Sequence, residues 1–349
     1  MKLLYTPFLR GIILCFGITL LLAACGNASS SGGKTTVTLG YFPNLTHIVA
    51  LVGLARGTFQ HDLGSKVDLQ TKVFNAGPNE IQALLAGDID IGFVGPSPAV
   101  NGYTQSGGQA LRIIGGASTG GVLFVVRPGA HIRSPQDLAN KKIADPQVGG
   151  TQDVALRSYL QQHGLKTTDQ GGNVQIVPTA NSNILTLFKE GQIDGAWVPE
   201  PYATRLIVED GGQVFLDERS LWPNGQFTTT LVVARTAFLN QHPDLVTKFL
   251  EAEVETVQYI QSNQQEALSL ANSQIKSLTG QAMPSKELTM AYSHMSVTYD
   301  PLTTTIAEQA NRAYTLGFLR GQPNLGGIYN FGPLNSVLSS KGLATIAQP

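Results

Sequence analysis

Ala76-Gly77-Pro78-Asn79, an apolar segment of helical character, and then Gly87-Asp88-Ile89-Asp90-Ile91-Gly92-Phe93-Val94-Gly95-Pro96-Ser97-Pro98 form one copy of a pattern that returns 104 positions later. The second copy reads Ala180-Asn181-Ser182-Asn183, a similar segment, and Gly191-Gln192-Ile193-Asp194-Gly195-Ala196-Trp197-Val198-Pro199-Glu200-Pro201. Ala76/Ala180, Asn79/Asn183, Gly87/Gly191, Ile89/Ile193, Asp90/Asp194 and Val94/Val198 are identical at that offset. A slip of one residue then aligns Pro96 with Pro199 and Pro98 with Pro201. Each copy predicts a helix, a tight turn, a buried strand and a Pro-x-Pro loop that opens the next helix. Two such halves predict two α/β lobes, with a cleft where the strand ends face each other. The repeated aspartates, Asp90 and Asp194, are expected to satisfy backbone amides at the turn rather than to touch a ligand.

Outward from the repeat, β-like and helical stretches alternate from Thr36 onward, a rhythm that predicts a mostly parallel sheet with helices on both faces in each lobe. A second unit begins after Val126, and the β-branched run Thr228–Ala234 reads as a strand returning to the first. The expected organisation is therefore a discontinuous lobe 1 (36–126 and 228–349) and a lobe 2 (127–227). Hinge crossings are expected near 126–129 and 217–228. From His242 to about Leu316 the chain reads as largely helical.

The first 24 residues read as a targeting segment: Lys2 and Arg10 precede a short apolar run, which ends Leu22-Ala23-Ala24-Cys25-Gly26. Small residues before a cysteine at the end of such a run look like a bacterial lipobox, with cleavage before Cys25 and a diacylglycerol on its thiol. An ordinary secretory signal with an incidental cysteine and an uncleaved anchor are the alternatives. Residues 25–35 would then be the lipidated cysteine and a small, polar tether. Cys15 and Cys25 are the chain's two cysteines, so no internal disulfide is expected in the mature protein. The formal net charge of −1 and the lack of a basic stripe argue against nucleic acid as a partner.

Gly40-Tyr41-Phe42-Pro43-Asn44-Leu45-Thr46-His47, Ala86–Gly92, Gly95-Pro96-Ser97-Pro98-Ala99, Gly149-Gly150-Thr151 and Ile193–Tyr202 occur in an order and at a spacing that resemble the substrate-binding lipoproteins of ABC importers for nitrate, sulfonates and taurine. The resemblance covers roughly residues 36–250. It implies the type II periplasmic-binding-protein fold, lipid anchoring at the extracytoplasmic membrane face, a small anionic or zwitterionic ligand, and a membrane permease with its ATPase as partners. A monomer without a cofactor is expected.

Open α/β sheets bind ligands beyond the carboxyl ends of their strands, where helix N-termini also point. Loops that meet this description supply the candidate ligand contacts Asn44, Thr46 and His47, Ser97, and Gly150, Thr151, Gln152 and Glu200, with Ser118 and Thr119 as further hydroxyl donors. Capping is the competing role for Ser97, Thr151 and His47, and turn formation for Asn44. Glu200 fits an amine-bearing ligand such as taurine, or a neighbouring backbone amide. Tyr41, Phe42, Trp197, Tyr202, Trp222 and Phe227 are either core or walls for an organic tail. His61, His131, His163, His242 and His294 give His47 no metal-motif spacing, so no metal is expected.

Two other functions compete. One is a binding protein for a thiamine-pyrimidine or other aromatic nitrogen ligand, which Glu200 and the aromatics would favour. The other is an enzyme resembling the pyrimidine-precursor synthases of thiamine biosynthesis. Their cysteine-rich iron motif is absent here, as is a phosphate-cradling Gly-rich loop.

Overall fold

A computed structural model describes residues 34–349. The predicted signal segment and Cys25 lie outside the described residues. In chain order, lobe 1 lays down β1 (Thr35–Tyr41), α1 (Ile48–Arg56), α2 (Thr58–Leu63), β2 (Val67–Val73), α3 (Gly77–Ala86), β3 (Ile91–Val94), α4 (Pro96–Gln105) and β4 (Leu111–Gly120). Lobe 2 follows with β5 (Val122–Val126), β6 (Lys142–Asp145), α5 (Thr151–Gln162), β7 (Gln175–Pro178), α6 (Asn181–Lys189), β8 (Gly195–Pro199), α7 (Tyr202–Asp210) and β9 (Gln213–Asp217). The chain returns through β10 (Thr228–Arg235), then α8 (Thr236–Gln241), α9 (Pro243–Ser262), α10 (Gln264–Thr279), α11 (Ser285–Tyr292), β11 (Met295–Val297), α12 (Thr303–Thr315) and α13 (Gly332–Ser340).

The six-stranded sheet is ordered β11-β4-β10-β3-β1-β2 and the five-stranded sheet β7-β6-β8-β5-β9. Both follow one plan. Strands β2, β1 and β3 are parallel, as are β7, β6 and β8. An antiparallel strand that arrives from the other lobe then adds to the open side, β10 on β3 and β5 on β8. The fold is that of a two-lobed type II periplasmic binding protein.

The repeated aspartates explain how each plan is held together. Asp90 Oδ2 accepts the Thr38 N–H at 3.0 Å, its own N–H donates to Thr38 O at 2.9 Å, and its Oδ1 lies 2.6 Å from the Arg235 guanidinium. In lobe 2, Asp194 Oδ2 accepts the Lys142 N–H at 2.9 Å, its N–H donates to Lys142 O at 2.8 Å, and Arg127 stands 3.5 Å from Oδ1. Each carboxylate thus ties the central parallel strand, the next strand and the arginine ending the incoming antiparallel strand. Leaving such a backbone donor unpaired would cost ~1–3 kcal/mol. The glycines that stop the preceding helices, Gly87 and Gly191, have φ of 82° and 70°, where a side chain would be strained.

The outward crossing differs from the expected one. β5 pairs wholly within the lobe 2 sheet, so lobe 2 begins near Val122 rather than after Val126. The turn is made by Gly120 and Gly121, with φ of 71° and 75°. A Cβ on Gly120 would lie 2.7 Å from His294 O, and one on Gly121 3.0 Å from Met295 and Thr46. Glycine is required there for conformation and for space. The Gly120-Gly121 pair marks the turn, but a strand buried along its whole length carries no sign of which sheet it joins. The chain passes back between Asp217 and Thr228.

Each sheet has apolar clusters on both faces. In lobe 1 the chain's return packs Phe249 of α9 face to face on Phe59, ring centroids 4.7 Å apart, with Phe93 of β3 beside them. In lobe 2, Phe124 and Trp197 from adjacent strands meet at 5.3 Å under α5.

Candidate functional site

The carboxyl ends of the parallel strands in the two lobes face one cavity of ≈ 30 Å³, room for a water or two at this lobe spacing. Lobe 1 contributes Phe42, Asn44, Thr46 and His47 after β1, Asn75, Ala76 and Gly77 at the start of α3, Gly95 and Pro98 at the start of α4, and Thr229 on β10. Lobe 2 contributes Pro146, Gly150, Thr151, Gln152, Asn181 and Pro199. Gly77 and Asn181 are repeat-related positions, each opening its helix onto the same space.

No Lys, Arg, Asp or Glu side chain is among the described residues lining this cavity. Its polarity comes from backbone N–H groups and neutral side chains. The first bond into α5 is Val154 N–H to Gly150 O at 3.1 Å, so the Thr151, Gln152 and Asp153 N–H groups have no acceptor within the helix. Gly149, at φ 73°, donates its N–H to Asp153 Oδ2 at 2.7 Å, which folds the preceding loop back over the helix start. Asp153 is itself bound to Arg157 at 2.7 Å. Burial and the neighbouring Asp153 charge raise the Asp145 carboxyl well above the usual carboxylate range, which limits negative charge beneath the loop. At α4, Pro96 and Pro98 remove two donors and leave the Ser97 N–H.

Ser97 Oγ, Thr151 Oγ1 and Asn181 Oδ1 are among the buried polar atoms that lack partners. Thr151 and Asn181 also line the cavity, whereas Ser97 does not. Neither Gly95 nor Gly150 has a left-handed backbone (φ −72° and −70°). Gly95 is needed for space, since a methyl group on it would collide with Thr151 Oγ1 of the opposite lobe. The lobes touch directly around the cavity. Leu45 N–H donates to Glu200 O at 2.9 Å, and Gln147 Nε2 donates to Asn79 Oδ1 at 3.0 Å.

His47 is buried against the Phe42 ring, centroids 4.1 Å apart, and its Nδ1 accepts the Phe42 N–H at 3.3 Å. Burial lowers its pKa to about 3, so the ring is neutral with its proton on Nε2, a single donor. Thr46 Oγ1 donates to Asn44 Oδ1 at 2.8 Å, which leaves the Asn44 amide N–H groups as the free donors of that pair.

The structure thus gathers Asn44, Thr46, His47, Gly150, Thr151 and Gln152 around one space, and places four other candidates elsewhere. Ser118 donates to Thr46 O at 2.8 Å and braces the first loop from behind. Thr119 Oγ1 accepts the Phe227 N–H at 3.0 Å. Ser97 is buried in the first turn of α4, outside the cavity lining. The Glu200 carboxylate accepts from Thr204 N–H at 3.0 Å and Thr204 Oγ1 at 2.9 Å, and lies 2.5 Å from His294 Nδ1. It is fully buried in these bonds, so it offers no carboxylate to an amine in the cavity. Of the aromatics, Phe42 lines the cavity, Tyr202 lies farther out, and Tyr41, Trp197, Trp222 and Phe227 are core. The reading of single loops missed Asn75, Asn181 and Thr229, although the repeat placed Asn181 opposite Gly77.

The profile of the NMT1-like family matches residues 30–275, and the chain belongs to that family. It is 29% identical to the taurine-binding periplasmic protein of Escherichia coli (strain K12) over 238 residues, covering 68% of this chain and 70% of that protein. The periplasmic aliphatic sulphonate binding protein SsuA of Escherichia coli superposes with a TM-score of 0.67 at 18% identity, covering 85% of this chain and 98% of that one. The nitrate-binding protein NrtA of Synechocystis PCC 6803 superposes with a TM-score of 0.72 at 14% identity, covering 88% and 89%.

Gly95→Ala is expected to hold the lobes apart and weaken ligand binding at least tenfold in calorimetry while the melting temperature of the free protein stays within a few degrees. Undiminished affinity would show that closure does not use the Gly95–Thr151 contact. The pH dependence of His47 has a definite sign. Its folded pKa lies below the unfolded value, so its contribution is complete above about pH 6.5 and is lost progressively as pH falls toward about 3. His47→Gln should therefore lose less unfolding free energy than the native protein between pH 7 and pH 4; equal losses in urea titrations would contradict the buried, neutral ring.

Proposed function

We propose that this protein is the extracytoplasmic solute receptor of an importer, closing its two lobes over a small sulfonate- or nitrate-type anion and presenting the closed form to a membrane permease and its ATPase. The observation that carries this reading is a neutral cavity fed by helix starts from both lobes. Oriented N–H groups favour an anion at a helix N-terminus, and recognition then needs no formal cation. The taurine, sulphonate and nitrate specificities in the names of the three proteins compared above support the same ligand class. Because ligand contacts come from both lobes, binding favours the closed arrangement by the difference in contacts it makes there.

The carboxylate of Glu200, the residue that would have favoured a zwitterion or an aromatic nitrogen ligand, is turned away from the cavity, so an anionic head group is the reading adopted. The chain's two cysteines both precede Lys34, so the described fold offers no cysteine-rich motif to the synthase-like alternative. For localisation we adopt the lipobox reading, with Cys25 as the lipid-bearing residue that holds the receptor at the outer face of the membrane.

A thermal-shift series with methanesulfonate, taurine and nitrate tests the ligand class. At least one should raise the melting temperature in a concentration-dependent manner, since a ligand at about 100 times its Kd adds roughly 2.7 kcal/mol to the folded state. No response to any of them at millimolar concentration overturns the reading. For the anchor, Cys25→Ser should move the protein from the membrane to the soluble fraction; retention in the membrane would favour an uncleaved signal instead.

A further inference from the structure

A pair of buried acids lies beneath the start of α5. Asp145 ends β6, Asp153 stands in the first turn of α5, and both are fully buried. Neither Asp145 oxygen has a hydrogen-bond partner among the N–H and O–H groups of the described residues. What that carboxyl meets is the carboxyl of Asp153. Two carboxyls in contact in a buried place cannot both be charged, so one of them keeps its proton. Their hydrogen bonds distinguish them. Asp153 Oδ2 accepts the Gly149 N–H and its Oδ1 accepts the Arg157 Nε–H, both at 2.7 Å, so Asp153 is the ionised member. Asp145 carries the proton and offers it to Asp153.

A second negative charge here would find little to balance it. Arg157 is already shared between Asp153 and Asp169, the latter at 2.8 Å. The other elements packed around Asp145 bring no cation: β7 and β8 contain no charged residue, and the first charge on α6 is Lys189 at its far end. The pair also lies directly behind the cavity. Pro146, the residue after Asp145, lines it, as do Gly150, Thr151 and Gln152 just before Asp153. A charge on Asp145 would therefore oppose an anion held at the start of α5. By linkage, an anion bound there would hold the proton on Asp145 to the same extent.

We propose that Asp145 is a positioning residue that couples anion capture to protonation: the receptor grips its ligand while Asp145 is protonated and loosens its hold when that proton leaves. This deepens the anion-receptor reading and rests on it. Burial and the Asp153 carboxylate push the Asp145 carboxyl well above the usual carboxylate range, and Arg157 and the nearby Gln147 N–H offset this only in part. Affinity is therefore expected to fall as pH rises, well above the pH at which an ordinary carboxylate ionises.

The test is calorimetry on the purified protein with methanesulfonate and with nitrate, from about pH 5 to about pH 9. The native protein should lose affinity at least tenfold across that range. Asp145→Asn keeps a neutral donor for Asp153 but cannot ionise. It should flatten the profile and bind at least tenfold more tightly than the native protein at about pH 9, whereas a merely structural role for Asp145 would leave the shape of the profile unchanged. Where native affinity falls, binding should also take up protons, seen as a difference in apparent enthalpy between Tris and bicine buffers. That readout needs no variant, so it decides the matter even if Asp145→Asn does not fold. A flat native profile, a fall that Asp145→Asn retains, or binding without proton uptake overturns the coupling while the anion reading stands. If the native protein binds neither anion at any pH, the anion reading itself fails and the coupling with it.

Discussion

An α-helix cannot satisfy its own first N–H groups, and a parallel β-α-β arrangement delivers every such helix start to the carboxyl edge of its sheet. The site here depends on that constraint, met twice. One chain builds the same sheet plan in two lobes, β2-β1-β3 with β10 and β7-β6-β8 with β5, and turns the two carboxyl edges toward each other. The starts of α3 and α4 then face those of α5 and α6 across a few ångströms. Their dipoles point inward from both sides, so an uncharged lining can still favour an anion. Charged side chains near the cavity are kept from opposing it: Asp153 is paired with Arg157, and burial raises the pKa of Asp145.

Steric limits also shape this site where the two lobes meet. Gly95 has an ordinary extended backbone and is small because Thr151 of the other lobe approaches it. At the far ends of both sheets the Asp90–Arg235 and Asp194–Arg127 clamps stitch three strands together. Gly120 and Gly121 make the outward crossing at positive φ, against the backbone of His294, which donates its side chain to Glu200 on the other lobe. Hinge-type closure about a few such residues is an established way to couple binding to shape change.

The two lobes are not identical where repeat-related positions are compared. In lobe 2, Ala144, Ile184 and Ala196 pack together in an ordinary apolar cluster. The corresponding residues of lobe 1 are Gly40, Glu80 and Gly92, and the Glu80 carboxyl fills the space that the two glycines leave, 2.5 Å from where a Gly92 Cβ would stand. Glu80 is fully buried, and burial raises its pKa well above the usual carboxylate range. As an acidic residue in the first turn of a helix it reads as a surface residue favoured by the dipole. Only the packing of α3 on β1 and β3 shows that it is an interior side chain.

The sequence by itself determined the two-fold repeat, the strand–helix order, the structural role of Asp90 and Asp194, and the loops after β1 and before α5 that carry Asn44, Thr46, His47, Thr151 and Gln152. These are local properties: periodicity, turn glycines and helix starts are written within a dozen residues. Tertiary structure decided which lobe β5 joins, because a doubly buried strand carries no mark of its neighbours. It also decided that Glu200 bonds Thr204 and His294 instead of facing the cavity, and that Ser118 and Thr119 brace backbone. Those outcomes depend on partners 72 to 108 residues away, or, for Glu200, on a histidine 94 residues away. The direction in which a side chain points is set by what packs against it, and long-range packing leaves no trace in the local pattern.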